Sequence, residues 1–321
     1  MGADDLSIIF LTALIHSPGV DVSAVFTQRA KKRGRGLGIP PGPVKEFALE
    51  KGIPVYTPDE INSPESVAEI AAHEPDIIVV MAYGKFLGKK ILALPRLGCV
   101  NLHTSLLPKY RGAAPIQRAI MAGDENTGVT AIMMGAKMDA GDILGTADCQ
   151  IRPTETAATL GIRLGIRGAD LMLEVIRKLD DGICPRTPQD ESLVTFAPKI
   201  DDAKTPAIDW SQTAPEIERH IRAMSPKPYC HTYLPGLDPA KPFMPGLRIK
   251  VMSVKICPQS SLPPGTVISM KDGPLVSTGG GGALLITGLH VEGKPKPIEG
   301  KAFANGYSSK LKEGDVLLSG L

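Results

Sequence analysis

The sequence predicts an α/β protein of two domains, with a mostly parallel sheet in the first and a small β-barrel or sandwich in the second. Three observations carry this. Between Val22 and Cys149, short β-branched runs alternate with amphipathic helical stretches, the pattern of parallel strands joined by crossover helices. One long helical period follows, and beyond it come short strands punctuated by Pro and Gly. The length, 321 residues, exceeds one ordinary core and suits two.

Taken in order, the strands of the first domain are expected at Val22–Phe26, Ile77–Met81, Val100–His103 and Val129–Met134. The helices between them are expected at Pro43–Lys51, Ser63–His73 and Ala114–Ala122, the first opened by Pro43 and stopped by Gly52. From Glu155 to Leu179 the residues Leu160, Leu164, Leu171, Val175 and Leu179 recur on one helical face, which closes a domain of residues 1–182. Residues 183–205 are polar, rich in Pro and Asp and without a period, so they read as a linker. The second domain, 206–321, begins with a helix at Pro215–Met224. Strands follow at Leu247–Val254, Gly265–Ser269, Leu275–Ser277 and Ala283–Thr287. The glycine run Gly279–Gly282 reads as a hairpin tip, because no helical pattern follows it to make a phosphate loop.

Composition excludes several classes. Charged residues make up 22% and hydrophobic ones 43%, the balance of a soluble enzyme rather than a disordered or membrane chain. No apolar run is long enough to span a bilayer and the start lacks a leader pattern, so a cytoplasmic location is expected. Aromatic residues, at 4%, are too few for a single-strand stacking platform. The five cysteines, Cys99, Cys149, Cys184, Cys230 and Cys257, form no C-x-x-C pair, and the histidines outside the central motif have no ligand spacing, so no metal is expected. Net charge is +2. It is unevenly spread, with 13 basic against 9 acidic residues from residue 206 onward and 23 against 25 before it.

The segment richest in chemistry is Cys99-Val-Asn-Leu-His-Thr-Ser-Leu-Leu-Pro-Lys-Tyr-Arg-Gly112, an apolar strand that runs into polar residues and then a loop bounded by Pro and Gly. Ligands in parallel sheets bind beyond the carboxyl ends of strands. Asn101 and His103 are two apart and project from one strand face, where they can converge on a single atom. An amide donor and an imidazole suit acyl transfer, the one for a developing oxyanion and the other for protons near neutral pH. From the pair alone, a hydrogen-bonded strand end is the better explanation, because polar residues are common there. Upstream, five of the seven residues from Arg29 to Arg35 are basic, a cationic loop able to meet phosphates or simply to be solvated.

The longer string Asn-x-His-x-Ser-Leu-Leu-Pro-x-x-Arg-Gly resembles the signature of formyltransferases that use 10-formyltetrahydrofolate. Further segments are similar, in order and spacing, to the methionyl-tRNA formyltransferases: Arg33–Gly36, Ala113–Arg118, Met138–Asp142, Val194–Lys199 and Ile208–Ser211. The resemblance implies a Rossmann-like formyltransferase domain followed by a small OB-like barrel. It implies transfer of a formyl group from 10-formyltetrahydrofolate to the amino group of initiator methionyl-tRNA, with no metal, by a monomer. By the same matching, Asn101, His103 and Asp139 would be the catalytic triplet, and Ser105, Leu106, Leu107 and Pro108 the folate-contacting loop. Lys31, Lys32, Arg33 and above all Arg35 would meet the acceptor end of the tRNA, and the basic second domain its backbone. Asp142, beside Gly141, reads as a turn or cap residue.

Three departures stand out. The opening Met-Gly-Ala-Asp-Asp-Leu resembles the loop that follows the first strand in relatives, so that strand is expected to be missing, with Ser7–Phe10 as its possible replacement. The basic loop reads Arg29-Ala-Lys-Lys-Arg33, and Ser225-Pro-Lys-Pro-Tyr-Cys230 leads into the barrel by an atypical route. The rival readings are a folate-dependent formyltransferase of an amino sugar nucleotide, a glycinamide ribonucleotide transformylase, which would not need residues 206–321, and an inactive folate or tRNA binding module.

Overall fold

The computed structural model describes residues 1–29, 42–201, 204–236, 246–258 and 260–319. They form two compact units. The first comprises residues 1–115, 126–150 and 160–198, and the second 116–125, 151–159 and 199–321.

In the first unit, helices α1 (Asp5–Ile15), α2 (Pro43–Glu50), α3 (Pro64–Ala71) and α4 (Lys89–Leu92) alternate with strands β1 (Val25–Phe26), β2 (Val55–Tyr56), β3 (Ile78–Val80) and β4 (Cys99–His103). Their ends are set by local chemistry. Asp4 caps α1 by accepting from Ser7 N at 3.0 Å, and Ser63 caps α3 through Ser66 N at 3.2 Å. Strand β5 (Arg111–Gly112) and helix α5 (Pro115–Ala122) lead to the hairpin of β6 (Asn126–Met133) and β7 (Ile143–Gln150), then to α6 (Ala157–Asp180) and β8 (Phe196–Ala197).

Strands β3 and β4 are parallel, as are β1 with β2 and β5 with β8, but β6 runs antiparallel to both β4 and β7. This corrects the expectation that Val129–Met134 continues the parallel series. The reason is the connection. The chain leaves and rejoins the sheet at the same edge, so β6 starts beside the end of β4, with His103 opposite Thr130 and Val100 opposite Met133. The face of α6 predicted from Leu160, Leu164, Leu171, Val175 and Leu179 is buried throughout. Its glycines let two neighbours approach closely: a Cβ at Gly168 would come within 2.2 Å of Leu102 of β4, and one at Gly165 within 3.3 Å of Ile9 of α1.

Between β1 and β3, Met1 and Gly2 are the described residues that bond to both neighbours. Gly2 N donates to Phe26 O at 3.2 Å, Met81 N donates to Met1 O at 3.0 Å, and Gly2 forms a parallel bridge to Met81. The α-amino group donates to Val79 O at 2.6 Å, and burial pushes its pKa down to about 5. Ser7–Phe10 does not become a strand; it lies within α1, where Ser7 Oγ donates to Met81 O at 3.1 Å. A cavity of about 710 Å³ remains there, lined among others by Phe10, Val22, Val25, Ile77 and Val79.

The stretch expected to be a linker is structured as far as Pro198 and belongs to the first unit. Thr187 bridges Ile143, and Phe196–Ala197 pair with Arg111–Gly112. The second unit holds α7 (Ala214–Ala223), β9 (Cys230–Tyr233), β10 (Arg248–Cys257), β11 (Val267–Ser269), β12 (Leu275–Ser277), β13 (Ala283–Val291), β14 (Ile298–Glu299) and α8 (Gly300–Gly306). Its strands are ordered β11-β12-β13-β10-β9, with β14 on β13 and every pairing antiparallel. The C-terminal segment touches both ends of that order, with Leu318 bridging Tyr233 of β9 and Val316 bridging Thr266 just before β11. Gly279–Gly282 is a hairpin tip, closed by Thr278 N donating to Gly282 O at 2.9 Å. Among the described residues no helix is long and apolar enough to cross a membrane.

Candidate active site

Strand β4 is buried on both faces because its residues alternate between two covers. Leu102 meets α6 through Gly168, whereas Cys99 turns its thiol toward Ile91 O of α4 at 3.8 Å. Asn101 and His103 share the face of Cys99. At the carboxyl end of the strand the chain turns sharply, and the turn is built by Thr130 of β6: its hydroxyl donates to Ser105 O at 2.7 Å and accepts from Leu107 N at 3.0 Å. Ser105 is fully buried and gives its own hydroxyl to Lys109 O at 2.6 Å. Leu107 is buried too, and the Leu107–Pro108 peptide is cis. Of the four residues expected to meet folate, Ser105 and Leu107 therefore serve the loop itself, while Leu106 and Pro108 stay half-buried.

The turn brings Tyr110 back over the strand end. His103 Nε2 lies 2.8 Å from Tyr110 O, and since a carbonyl can only accept, Nε2 carries the proton. In the neutral imidazole the lone pair is then on Nδ1, which faces Asp139 Oδ2 at 3.7 Å. Both side chains are nearly dry, at 7% and 12% exposure. Tyr110, not Asp139, thus fixes the tautomer, and the carboxylate is placed to meet the ring once Nδ1 gains a proton.

Asp139 comes from the β6–β7 connection, 36 residues after His103. It adopts φ 51°, a left-handed conformation that non-glycine residues rarely take. Gly141 makes the tight return possible, since a Cβ there would sit 1.7 Å from Met133 O. Asp142 O accepts from Met133 N at 2.9 Å, a main-chain bond that closes the β6–β7 connection. The Asp139 carboxylate accepts from Gly112 N at 2.9 Å, and its carbonyl accepts from Gln189 Nε2 at 2.8 Å.

The Pro- and Gly-bounded loop is held by the segment Val194–Lys199. Tyr110 N donates to Thr195 Oγ1 at 2.9 Å, Arg111 N to Thr195 O at 2.9 Å, and Ala114 N to Ala197 O at 3.2 Å. Gly112, at φ 127°, lies so close to β8 that a Cβ would be 2.6 Å from Ala197 O. The Arg111 guanidinium is buried against Gln189 and bonds both oxygens of Glu191, at 2.8 and 3.2 Å, which holds the Glu191 carboxyl below its ordinary pKa.

The structure therefore brings His103 and Asp139 together and puts Asn101 on the same strand face, half-buried and without a hydrogen-bond partner for its carboxamide among the described residues. Lys31, Lys32, Arg33 and Arg35 lie outside the described residues. Sequence reasoning missed Tyr110, Thr130 and Gln189. Tyr110 and Gln189 sit in segments without a period, and Thr130 is one more β-branched residue in a strand, so no local pattern marks their roles.

Comparison with known proteins fits this geometry. A formyl transferase family profile matches residues 4–176, and a formyl transferase C-terminal domain profile matches residues 202–308. The chain is 39% identical over 321 residues to a methionyl-tRNA formyltransferase of Pseudoalteromonas translucida, covering 98% of this chain and 95% of that one. To a methionyl-tRNA formyltransferase of Bacillus subtilis it is 38% identical over 318 residues, covering 99% and 96%. Among solved structures, an N-formyltransferase from Helicobacter canadensis in complex with folinic acid and dTDP-3-aminofucose is similar, with a TM-score of 0.62 at 18% identity over 89% of this chain and 96% of that one. At that identity the likeness concerns the fold alone. With near-complete coverage by relatives of one kind, and profiles matching both parts of the sequence, the chain belongs to the methionyl-tRNA formyltransferase family of formyl transferases.

Proposed function

We propose that the protein transfers a formyl group from 10-formyltetrahydrofolate to the free amino group of initiator methionyl-tRNA, with Asn101, His103 and Asp139 as its catalytic groups. The observation that carries this reading is the state of the strand end. His103 is held by Tyr110 O with its Nδ1 toward the Asp139 carboxylate at 3.7 Å, and the Asn101 carboxamide on the same face is unpartnered among the described residues. A half-buried amide donor with no protein acceptor fits a carbonyl ligand, and Leu106 and Pro108 offer that ligand a partly apolar wall.

When bound, the formylated folate supplies a carbonyl carbon open to attack by an amine. Asn101 Nδ2 donates to the oxygen on which negative charge grows. The Nδ1 lone pair of His103 takes the proton that the attacking amine must lose, and Nε2 stays bonded to Tyr110 O, so the ring cannot rotate as it charges. The imidazolium then faces Asp139, whose carboxylate is aimed by Gly112 N. His103 can return the proton to the leaving nitrogen, so no net charge is left in a dry site. In the second unit, the closure of the strand order through Val316 and Leu318 supports a barrel of OB type. A role in preparing initiator tRNA would place the enzyme in the cytoplasm.

The test is formyl transfer by the purified protein from 10-formyltetrahydrofolate to labelled methionyl-tRNA, with a dTDP-linked amino sugar as the competing acceptor. Turnover on the tRNA and not the sugar is expected. Asn101→Ala should raise the barrier by about 3 kcal/mol, roughly a hundredfold in kcat. Near-normal turnover in that variant, or preference for the sugar, would refute the reading.

A further inference from the structure

The geometry points to Gln189 as a positioning residue that acts through Asp139; this rests on the catalytic reading above. Its carboxamide sits between two sets of partners that can be satisfied in only one orientation. On one side Arg111 donates to Gln189 Oε1 from Nε at 3.0 Å and from Nη2 at 2.8 Å. A guanidinium has no acceptor, so the amide oxygen must face it. On the other side Nε2 donates to Asp139 O and to Gly141 O, each at 2.8 Å. The two carbonyls bracket the turn that holds Asp139 at φ 51°. That conformation is unfavourable for a side-chain-bearing residue, and the pair of donated bonds opposes its relaxation.

Arg111 is itself fixed. It bonds both Glu191 oxygens, and its backbone belongs to β5, paired with β8. The next residue, Gly112, supplies the N–H that aims the Asp139 carboxylate at 2.9 Å. Asp139 is thus held twice from the same anchor, by its main chain through Gln189 and by its carboxylate through Gly112. Gln189 has no bond to His103 or Asn101 and touches no reacting atom, so its effect on the reaction runs through where Asp139 stands.

A glutamate at this position separates positioning from anchoring. It keeps the size of the side chain and gives Arg111 a better acceptor, but it replaces the one nitrogen that donates both bonds with an oxygen pointed at two carbonyl oxygens. If Gln189 only anchors Arg111, Gln189→Glu should be as good as the natural residue. If it positions Asp139, the loss falls on chemistry. We expect Gln189→Glu and the isosteric Gln189→Met each to lower kcat about 10- to 100-fold, as a small misplacement in an active site does, with the KM for both substrates within about twofold. Combining Gln189→Glu with Asp139→Asn should cost no more than Asp139→Asn alone, because both changes remove one interaction. Crystal structures of both Gln189 variants without substrates should show the Asp139 turn displaced, with its carboxylate drawn away from Gly112 N and from His103 Nδ1. Wild-type kcat in Gln189→Glu, fully additive losses in the double variant, or an Asp139 turn unmoved in the variant structures would overturn the assignment. The structural result does not depend on the substrate. An inactive natural protein whose Asp139 turn still moves in the variants would therefore sink the catalytic reading and leave the positioning role standing.

Discussion

A single residue, His231, illustrates how burial sets chemistry outside the proposed site. It is 2% exposed on β9, edge-on to the Tyr233 ring at 5.7 Å, and Arg248 Nη2 lies 3.1 Å from its Nδ1. Arg248 can only donate, so Nδ1 accepts and the imidazole is neutral. Burial first, and the Arg248 cation second, push its pKa from the ordinary 6.5 to about 4; Lys250 and His220 add to the lowering and Glu292 opposes it. The unfolded chain therefore binds a proton at this residue before the folded chain does. Stability contributed by neutral His231 is whole above pH 6.5 and drains away as pH falls toward about 4. His231→Gln keeps an acceptor for Arg248 but cannot charge. The urea midpoint of the natural protein relative to this variant should drop between pH 7.5 and pH 4.5; a constant difference would show that His231 does not titrate against folding.

At the scale of elements, what was legible depended on whether the information is local. The α6 stripe and the apolar run of β4 declare themselves because periodicity and burial act over neighbouring residues. The pairing of Asn101 and His103 on one face follows from the same rule. The antiparallel course of β6 was not legible, because strand direction is set by the path of the connection and not by the residues of the strand. Nor was the order in residues 183–198, whose bonds go to Ile143, Tyr110 and Arg111, far away in sequence. The cavity lined by Phe10, Val25 and Val79 forms a slot beside Met1 and Gly2, and the bridge from Gly2 to Met81 was not legible because its partners lie far apart in sequence. An element-scale prediction follows from that slot. A five-residue β-branched extension placed ahead of Met1 would run parallel to β3, fill part of the cavity of about 710 Å³ and replace the buried amine with a peptide bond. New ladder bonds and apolar burial, less the ordering entropy, should add about 2 kcal/mol, or roughly 4–8 °C in Tm. A Gly-Ser extension of the same length is the control. Equal midpoints for the two extensions would mean that the slot does not accept a strand.

At the scale of the molecule, the uneven charge bears on the proposed tRNA substrate. Residues from 206 onward carry 13 basic against 9 acidic side chains, whereas the part before them is slightly acidic except for the run from Arg29 to Arg35. At the described end of that run Arg29 pairs with Asp59 at 3.0 Å, both of them exposed, a contact worth little in water. A polyanion binding through such surfaces releases counterions, so its affinity must fall with salt, whereas folate recognition at the strand end need not change. The KM for methionyl-tRNA should therefore rise steeply between 50 and 200 mM salt, on the order of tenfold or more for several phosphate contacts, with the KM for 10-formyltetrahydrofolate nearly flat. Arg35→Ala should weaken tRNA use at every salt concentration and reduce the slope of log affinity against log salt by about 1, the signature of one lost phosphate contact. A variant that loses folate and tRNA affinity equally, or keeps the full slope, would remove Arg35 from the tRNA contact and leave the second domain to account for the salt dependence.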